Sequence, residues 1–193
     1  MLILLIGLVI FFAVHSLSII PGGRAAIAGR IGDPGTKAVV GILSLIGLVL
    51  IVWGVGAARA AGGITVLWTP PAWTRHITFL LMLPVFPLLI AAYVPGRIRS
   101  TVKHPMITAV KVWAFAHLLS NGTLMDVLLF GAFLVWGVAD RISLKRRGAP
   151  NPAPVAVFTT GDWVAVIAGL VLYGLMLWRG HLLLIGVPLI GPM

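Results

Sequence analysis

Long apolar runs, broken by short polar segments, set the pattern of this chain from its first residues onward. An α-helix needs about 20 apolar residues to cross the hydrocarbon core of a bilayer, and its backbone groups are then paired within the segment. The runs therefore predict one all-α domain over residues 1–193, folded as a polytopic transmembrane helical bundle of about six spans. The predicted spans are Leu2–Ile20, Ala38–Ala58, Ile77–Val94, Pro105–Ser120, Thr123–Ala139 and Trp163–Trp178.

Local signals modify this pattern in three places. Pro84 and Pro87 remove backbone donors and predict a kink in the third span. The fourth and fifth spans are joined only by Asn121 and Gly122, so they form one helical hairpin whose tip is expected below the membrane surface. After the sixth span, the apolar tail over residues 182–193 is too short to cross and is expected at the interface.

The composition supports a membrane protein and excludes a water-soluble domain. Of the 193 residues, 60% are hydrophobic and 9% are charged, whereas about a quarter of the residues are charged in soluble domains. Fourteen Lys and Arg face four acidic residues, none of them Glu, and the formal net charge is +10. Such an excess alone points to a polyanion, but nucleic-acid binding is not expected, because these cations lie between apolar runs.

The placement of the cations predicts the orientation of the chain. Ten of the fourteen Lys and Arg fall in the first, third and fifth loops, and three fall in the second loop and the tail. Loops on the cytoplasmic side are enriched in Lys and Arg, so both termini are expected outside. The start of the chain lacks a positive n-region and a small-residue cleavage site, so the first run is expected to remain as a helix.

Several classes of site are excluded by residue types that the chain lacks. Without cysteine there is no disulfide, thiolate-bound zinc, iron–sulfur cluster or covalently attached c-type haem. Without Glu, and with all four Asp in loops or near helix ends, no carboxylate pair is expected inside the membrane for acid–base work or cation coordination. Histidine is then nearly the only side chain in the spans that can hold a metal.

Ionisable groups inside the spans are the candidate functional residues, because each costs roughly 3 kcal/mol on insertion scales. His15 and His117 are each either an interhelical hydrogen-bonding residue or a metal or haem ligand. Asn121, one turn after His117, is a partner for it on the same face. His104 precedes a proline and is expected at the start of the fourth helix. Lys111 lies on nearly the same face, where it can reach headgroups, a carboxylate or a porphyrin propionate.

Two neighbouring segments carry a recognisable motif. KHPMITAVKVWAFAHLLSNG at Lys103–Gly122, followed by LLFGAFLVWGVADRISLKRR at Leu128–Arg147, resembles the signature of the NnrU family of bacterial membrane proteins. FFAVHS around His15, VPGRIRS from Val94 and HLLLIGVPLI near the C-terminal end fit the same family, so the resemblance covers essentially the whole chain. It implies a multi-pass protein of the bacterial inner membrane that acts in nitrite and nitric oxide metabolism.

The NnrU family is similar in turn to zeta-carotene isomerase, a membrane haem b protein whose iron is held by two histidines. By the matching motifs, this resemblance implies haem b bound through His15 and His117, with His104 as the other motif histidine. Arg24, Lys103 or Lys111 would then meet the propionates. The resemblance also implies a small apolar or nitrogen-oxide ligand and an isomerase-like activity gated by the redox state.

The depths of the two histidines leave a second ligand pair open. His15 lies about five residues, or ~8 Å, from the inner end of the first span, whereas His117 lies ~18 Å from the inner end of the fourth. Axial nitrogens on one iron approach within about 4 Å of each other, so His15 with His104 is the easier pair on depth alone. A cofactor-free assembly factor and a small transporter are the alternative functions.

Overall fold

The computed structural model describes residues 1–190, and within this range the chain is helical apart from loops and one isolated β-bridge between Val66 and Thr123. The prediction of an all-α fold is confirmed. A π-helical turn at Met176–Gly180 joins the last two helices. The helices are α1 (Leu2–Ser16), α2 (Gly23–Ala61), α3 (Thr74–Met82), α4 (Val85–Ala91), α5 (Arg97–Val102), α6 (Pro105–Ser120), α7 (Leu124–Arg146), α8 (Thr160–Leu175) and α9 (His181–Ile185).

The apolar helices have the character of a membrane bundle. Two shorter ones, α1 and α6, have 15 and 16 residues and are about 22–24 Å long, less than the ~30 Å hydrocarbon core. They coincide with the predicted first and fourth spans, and the number of spans stays a prediction. Four helical segments are long and apolar enough to cross a membrane: Gly23–Ala61, Thr74–Ala91, Leu124–Arg146 and Thr160–Ile185.

Glycine and proline positions determine where the longer helices bend. Pro84 lies between α3 and α4, so the kink predicted in the third span is a break between two helices. α2 bends at Gly32, whose φ of 73° is left-handed. The last span was expected to end at Trp178, but the helix continues through the π-helical turn to Ile185. Residues 191–193 of the predicted tail lie outside the described residues.

α1 lies tightly against α2, because glycines remove the side chains where the two helices cross. A Cβ at Gly47 would lie 2.9 Å from the backbone nitrogen of Phe11, and a Cβ at Gly54 would overlap the backbone of Leu4. Small residues permit such an approach between membrane helices, whose association depends on close packing. The contact fixes the height of α1, and with it the height of His15, against the rest of the bundle.

α6 is the central helix of the bundle. It packs against α7 on one side and against α3 and α4 on the other, and α4 packs in turn against α8. Its side chains at these contacts are small, and Ala109, Ala114 and Ala116 are fully buried. One buried apolar group is built by α1, α2, α6 and α7, and a second by α3, α4 and α6. The helix that carries Lys111 and His117 therefore belongs to both halves of the core.

The connection between α6 and α7 is covered by the loop that follows α2. The backbone N–H groups of Leu67 and Trp68 donate to the carbonyl of Gly122 at 2.8 and 3.1 Å. Thr123 and Asp126 form a capping box at the start of α7. The backbone groups at the tip of this hairpin thus have partners within the protein, which is the condition for lying below the membrane surface.

We expect Gly54→Ala to destabilise the protein by about 1–3 kcal/mol, because the added methyl group overlaps the backbone of Leu4 and forces α1 to shift. Gly56→Ala is the matched control, since no atom lies within 4 Å of its Cβ position and alanine favours a helix. Thermal unfolding in detergent, followed by tryptophan fluorescence, measures both variants. Equal stability of the two would contradict the close packing of α1 on α2.

Candidate functional site

His15 lies in the last turn of α1, and its ring is held in one tautomer. Its Nδ1 donates to the carbonyl of Phe11, four residues earlier, at 2.8 Å, because a carbonyl oxygen only accepts. The imidazole stacks on the ring of Phe11 with 4.0 Å between centroids and meets the edge of Trp136 of α7 at 5.7 Å. The lone pair of Nε2 is left for another partner, and this is the form in which histidine binds a metal.

His117 lies in the last turn of α6 and has the same arrangement. Its Nδ1 donates to the carbonyl of Trp113, again four residues earlier, at 2.8 Å. The imidazole stacks on Phe130 of α7, with 4.6 Å between centroids. The side chain of Asn121 donates to the backbone carbonyl of His117 at 2.8 Å. Asn121 therefore holds the end of α6, while the imidazole Nε2 of His117 is left for another partner.

Aromatic rings from α1, α6 and α7 fill the space between the two histidines. Phe133 of α7 lies at the centre, 5.3 Å from the ring of Phe11 and 5.2 Å from that of Trp113 between centroids. Since Phe11 stacks on His15 and Trp113 contacts His117, a chain of ring contacts through Phe11, Phe133 and Trp113 connects the two imidazoles. This aromatic cluster consists of Phe11, Phe12, Trp113, Phe130, Phe133 and Trp136.

The two histidines meet the aromatic cluster at different levels of α7. His15 contacts Trp136, and His117 stacks on Phe130, which lies six residues earlier, or ~9 Å along the helix axis. Axial nitrogens on one iron approach within about 4 Å. A metal shared by both imidazoles therefore requires the rings between them to turn away.

One buried polar atom of the aromatic cluster has no partner. The indole Nε1 of Trp136 is buried and makes no hydrogen bond to any other residue in the range 1–190. A buried donor left unpaired costs about 1–3 kcal/mol, and a buried indole N–H usually finds an acceptor. A bound group with an acceptor atom beside His15 would supply that partner.

His104 lies at the other end of α6, where it is the N-cap residue. The preceding residue, Lys103, has a φ of +66° and is the one non-glycine residue with positive φ among residues 1–190. Across it, the N–H of His104 donates to the carbonyl of Val102 at 2.8 Å. A γ-turn of this hand is rare and strained, and such strain clusters at functional sites. The chain thus enters α6 through a strained turn beside a candidate site residue.

Charged residues surround His104. Burial lowers the pKa of His104 below its ordinary value of 6.5; Arg141 and Lys103 lower it further, and Asp140 partly offsets them. This direction favours the neutral imidazole, which is the form that binds a metal. The buried carboxylate of Asp140 acts on both His104 and His15. His15 and His104 thus share the influence of one acid. They are also the pair that the depth of the residues along the predicted spans favours.

Lys111 lies between α6 and α7. Its Cγ is 2.9 Å from the position that a Cβ on Gly137 would take, so its stem crosses α7 where that helix has no side chain. The long apolar stem of a lysine packs in this way while its ammonium reaches towards polar groups. The structure places Lys111 in the helix interface, one turn of α7 away from Asp140.

The family of the chain follows from a comparison with family models. The model described as "NnrU protein" matches residues 3–189, nearly the whole chain. The chain belongs to the NnrU family. No curated protein and no solved structure matches this NnrU chain. The resemblance carried by the motifs is confirmed, and the membrane character of the NnrU protein rests on its family and on its apolar helices.

Two residues of the NnrU site were not singled out from the sequence. Trp136 contacts His15 and the charge of Asp140 acts on it, but the sequence marks these two residues only as an aromatic and an acid near the end of the fifth span. Aromatic residues recur at every third position from Phe130 to Trp136, which indicates a ring-lined part of α7. The spacing of these aromatic residues does not reveal that α1 packs against this part of α7.

At the other end of α6, His117 stacks on Phe130 of α7, the helix that begins with the capping box of Thr123 and Asp126. The Nδ1 of His181 donates to the carbonyl of Val187 at 2.8 Å. Nowhere within residues 1–190 do three or more His or Asp side chains come together in an arrangement that could hold a metal ion. Of the histidines on α6, His104 thus lies at its start and His117 in its last turn.

We expect the NnrU protein to lose thermal stability as the pH falls below about 6.5, in part through His104. Because the pKa of His104 is lower in the folded protein, the unfolded chain takes up the proton first, and the loss grows until the pH reaches the folded pKa. His104→Gln should reduce the difference in unfolding temperature between about pH 7.5 and pH 5.

The matched control for this pH prediction is His76→Gln, since His76 is exposed at the start of α3. This variant should keep the pH dependence of the wild type. An unchanged difference in unfolding temperature in the His104 variant would show that burial of His104 does not depress its pKa.

Proposed function

We propose that the NnrU protein binds haem b inside the membrane through His15 and His117. The observation that carries the proposal is the geometry common to both imidazoles. Each Nδ1 donates to the carbonyl one turn earlier at 2.8 Å, which fixes the tautomer and leaves Nε2 as the ligand atom. Histidines on facing helices of a bundle are frequent ligands of cofactors held in its core.

The surroundings of the two histidines suit an apolar macrocycle. The aromatic cluster lines both imidazoles, and the unpaired N–H of Trp136 offers a buried donor beside His15. Haem would need only the imidazoles of His15 and His117 from the protein, whereas the described residues offer no group of three ligands for a bare metal ion. When bound, haem b supplies a one-electron redox centre whose potential the apolar surroundings tune.

In this chemistry the role of the protein is to orient the two histidines and to exclude water. The carbonyls of Phe11 and Trp113 hold the ring N–H groups, and the stacked phenyl rings restrict rotation of the imidazoles. Lys111, in the interface of α6 and α7, is a candidate partner for a propionate. Asn121 contributes by holding the end of the helix that carries His117.

His15 with His104 is the second candidate ligand pair. It is favoured by Asp140, whose charge acts on both side chains, and by the lowered pKa of His104. In this arrangement His117 and His181 are hydrogen-bonding residues at the other end of α6. The two pairs share His15 and differ in the residue that completes the iron site.

We infer for the haem protein a role in nitrite or nitric oxide metabolism, or in an isomerisation gated by the redox state of the iron, in the bacterial inner membrane. The family membership and the apolar setting of the histidines support this role. Its ligand would be a nitrogen oxide or a small apolar molecule, and the uncharged candidates, nitric oxide among them, can reach the bundle through the surrounding lipid.

We also propose that the chain crosses the membrane six times, with both termini outside the cytoplasm. Placement of the cations in alternate loops supports this topology. So does the internal pairing at Gly122, because it allows the short helix α6 to end below the surface. In a four-span alternative, α1 and α6 would not cross.

The haem proposal is tested by the visible spectrum of the protein after expression in haem-replete cells and purification in detergent. We expect a Soret band in the wild type, and its loss or shift in His15→Ala and in His117→Ala, because each removes one axial nitrogen. His104→Ala should leave the band in place. His76→Ala, at an exposed histidine, is the control for the loss of an imidazole alone.

Other outcomes have definite meanings. Loss of the band in the His15 and His104 variants, with a normal band in the His117 variant, would establish the second pair. A colourless wild-type protein would overturn haem binding and leave two functions, a cofactor-free assembly factor and a small transporter. Anion flux into liposomes that contain the protein would then indicate the transporter, and its absence the assembly factor.

The topology is tested with single cysteines, because the natural chain has none. Ala72→Cys and Asn151→Cys introduce exposed thiols in the second and fifth loops. Six spans put three of them between these sites, so a membrane-impermeant maleimide should label Ala72→Cys in spheroplasts and Asn151→Cys only after lysis. If both cysteines are labelled from the same side of the membrane, the four-span topology is favoured. If Asn151→Cys is labelled in spheroplasts and Ala72→Cys only after lysis, the chain has the opposite orientation.

A further inference from the structure

A basic groove of about 430 Å³ opens at the end of the bundle where α6 begins. Arg99 of α5 and Lys103 of the strained turn contribute its cations, and His104 lies beside them. Ala92, Ile107 and Pro152 contribute apolar walls. The groove therefore combines a cationic end with an apolar surface at the level where membrane helices end.

Several contacts build this groove from separate parts of the chain. The carboxylate of Asp162, at the start of α8, accepts hydrogen bonds from the N–H groups of Arg97 and Ile98 at 2.9 and 2.8 Å. The loop before α8 is held to α5, because the N–H of Val155 donates to Ser100 Oγ at 3.2 Å. α5 is thus fixed at both ends, and Arg99 faces the groove from a held helix.

The cations of the groove lack a carboxylate partner among residues 1–190. Asp126 and Asp162 are engaged in the capping boxes of α7 and α8. Asp33 lines another groove, beside Arg24 and Arg147. The charge of Asp140 acts on Arg147, His104 and His15. Arg99 is half-buried, and a half-buried guanidinium gains from an anion that accepts its hydrogen bonds.

We propose that the basic groove binds the phosphate of an anionic phospholipid through Arg99 and Lys103. Basic pockets between membrane helices bind anionic headgroups, because the phosphate meets the cations while the acyl chains remain in the bilayer. The apolar walls supplied by Ala92 and Ile107 give the glycerol and the first methylene groups a surface to contact. This inference needs the membrane location of the chain but not the haem, since the lipid site holds no imidazole ligand of the leading pair.

Binding is measured by thermal unfolding of the purified protein in neutral detergent with added phosphatidylglycerol or phosphatidylcholine. Phosphatidylglycerol should raise the unfolding temperature more than phosphatidylcholine or inorganic phosphate does. Arg99→Gln with Lys103→Gln should weaken phosphatidylglycerol binding by about 30-fold, because each cation near an anionic headgroup accounts for about fivefold. Native mass spectrometry should show the lipid retained by the wild type and lost from this variant.

Two further variants separate loss of binding from loss of structure. Lys103→Gly removes the cation but relieves the positive φ, so it should unfold at a higher temperature in detergent and still bind phosphatidylglycerol about fivefold more weakly. Lys145→Gln with Arg146→Gln removes two exposed cations of α7 that do not line the groove. This control should bind phosphatidylglycerol as the wild type does.

Three results would overturn the proposal. Equal stabilisation by phosphatidylglycerol and phosphatidylcholine would exclude recognition of the anionic headgroup. Equal stabilisation by inorganic phosphate would identify a free anion as the ligand. Equal weakening in the Lys145 and Arg146 control would assign the effect to general surface charge. None of these readouts depends on a Soret band, so the lipid site and the haem site fail or succeed separately.

Discussion

Inside a bilayer no water pairs with a backbone N–H or C=O, so each of these groups must find its partner within the protein. This NnrU chain meets the requirement with many of its few polar side chains. Asp162 accepts from two backbone N–H groups of α5, and Thr78 donates to the carbonyl of Ala116 in the middle of the bundle at 2.9 Å. Arg59 donates to the carbonyl of Ile185 at the end of α9. The polar residues of the chain serve first to complete its backbone.

This requirement draws attention to the polar atoms that have no partner within the described residues. In the histidines His15 and His117, one ring nitrogen pairs with the backbone and the other is left over. The N–H of Trp136 is buried and unpaired within residues 1–190, and Arg99 is half-buried in a groove without a carboxylate partner. In a chain with four acids, such groups are costly to bury unless something pairs with them. They define the two sites proposed for this protein.

Much of the fold could be predicted because a bilayer leaves an apolar run little choice but a helix. Each of the six apolar segments contains a helix, and Pro84 separates two helices as its missing N–H requires. α5 was not predicted from the sequence, because its six residues include two arginines and form no apolar run. The helix is also held by Asp162, which comes from a distant segment of the chain. The neighbours of His15 escaped prediction for a related reason. Which residues of α7 face α1 depends on the rotation and height of both helices, and these are fixed by tertiary packing.

That packing also limits how the haem site can adjust. Gly47 and Gly54 bring the backbone of α1 against α2, so α1 cannot slide without separating from it. His15 is consequently fixed in height beside Trp136, six residues along α7 from Phe130, on which His117 stacks. The rings at the α6–α7 contact are also constrained, because Phe133 is buried and Trp113 packs against it in the same core cluster. Binding of haem by His15 and His117 would thus require the aromatic cluster to rearrange, whereas binding by His15 and His104 would involve the two histidines on which the charge of Asp140 acts.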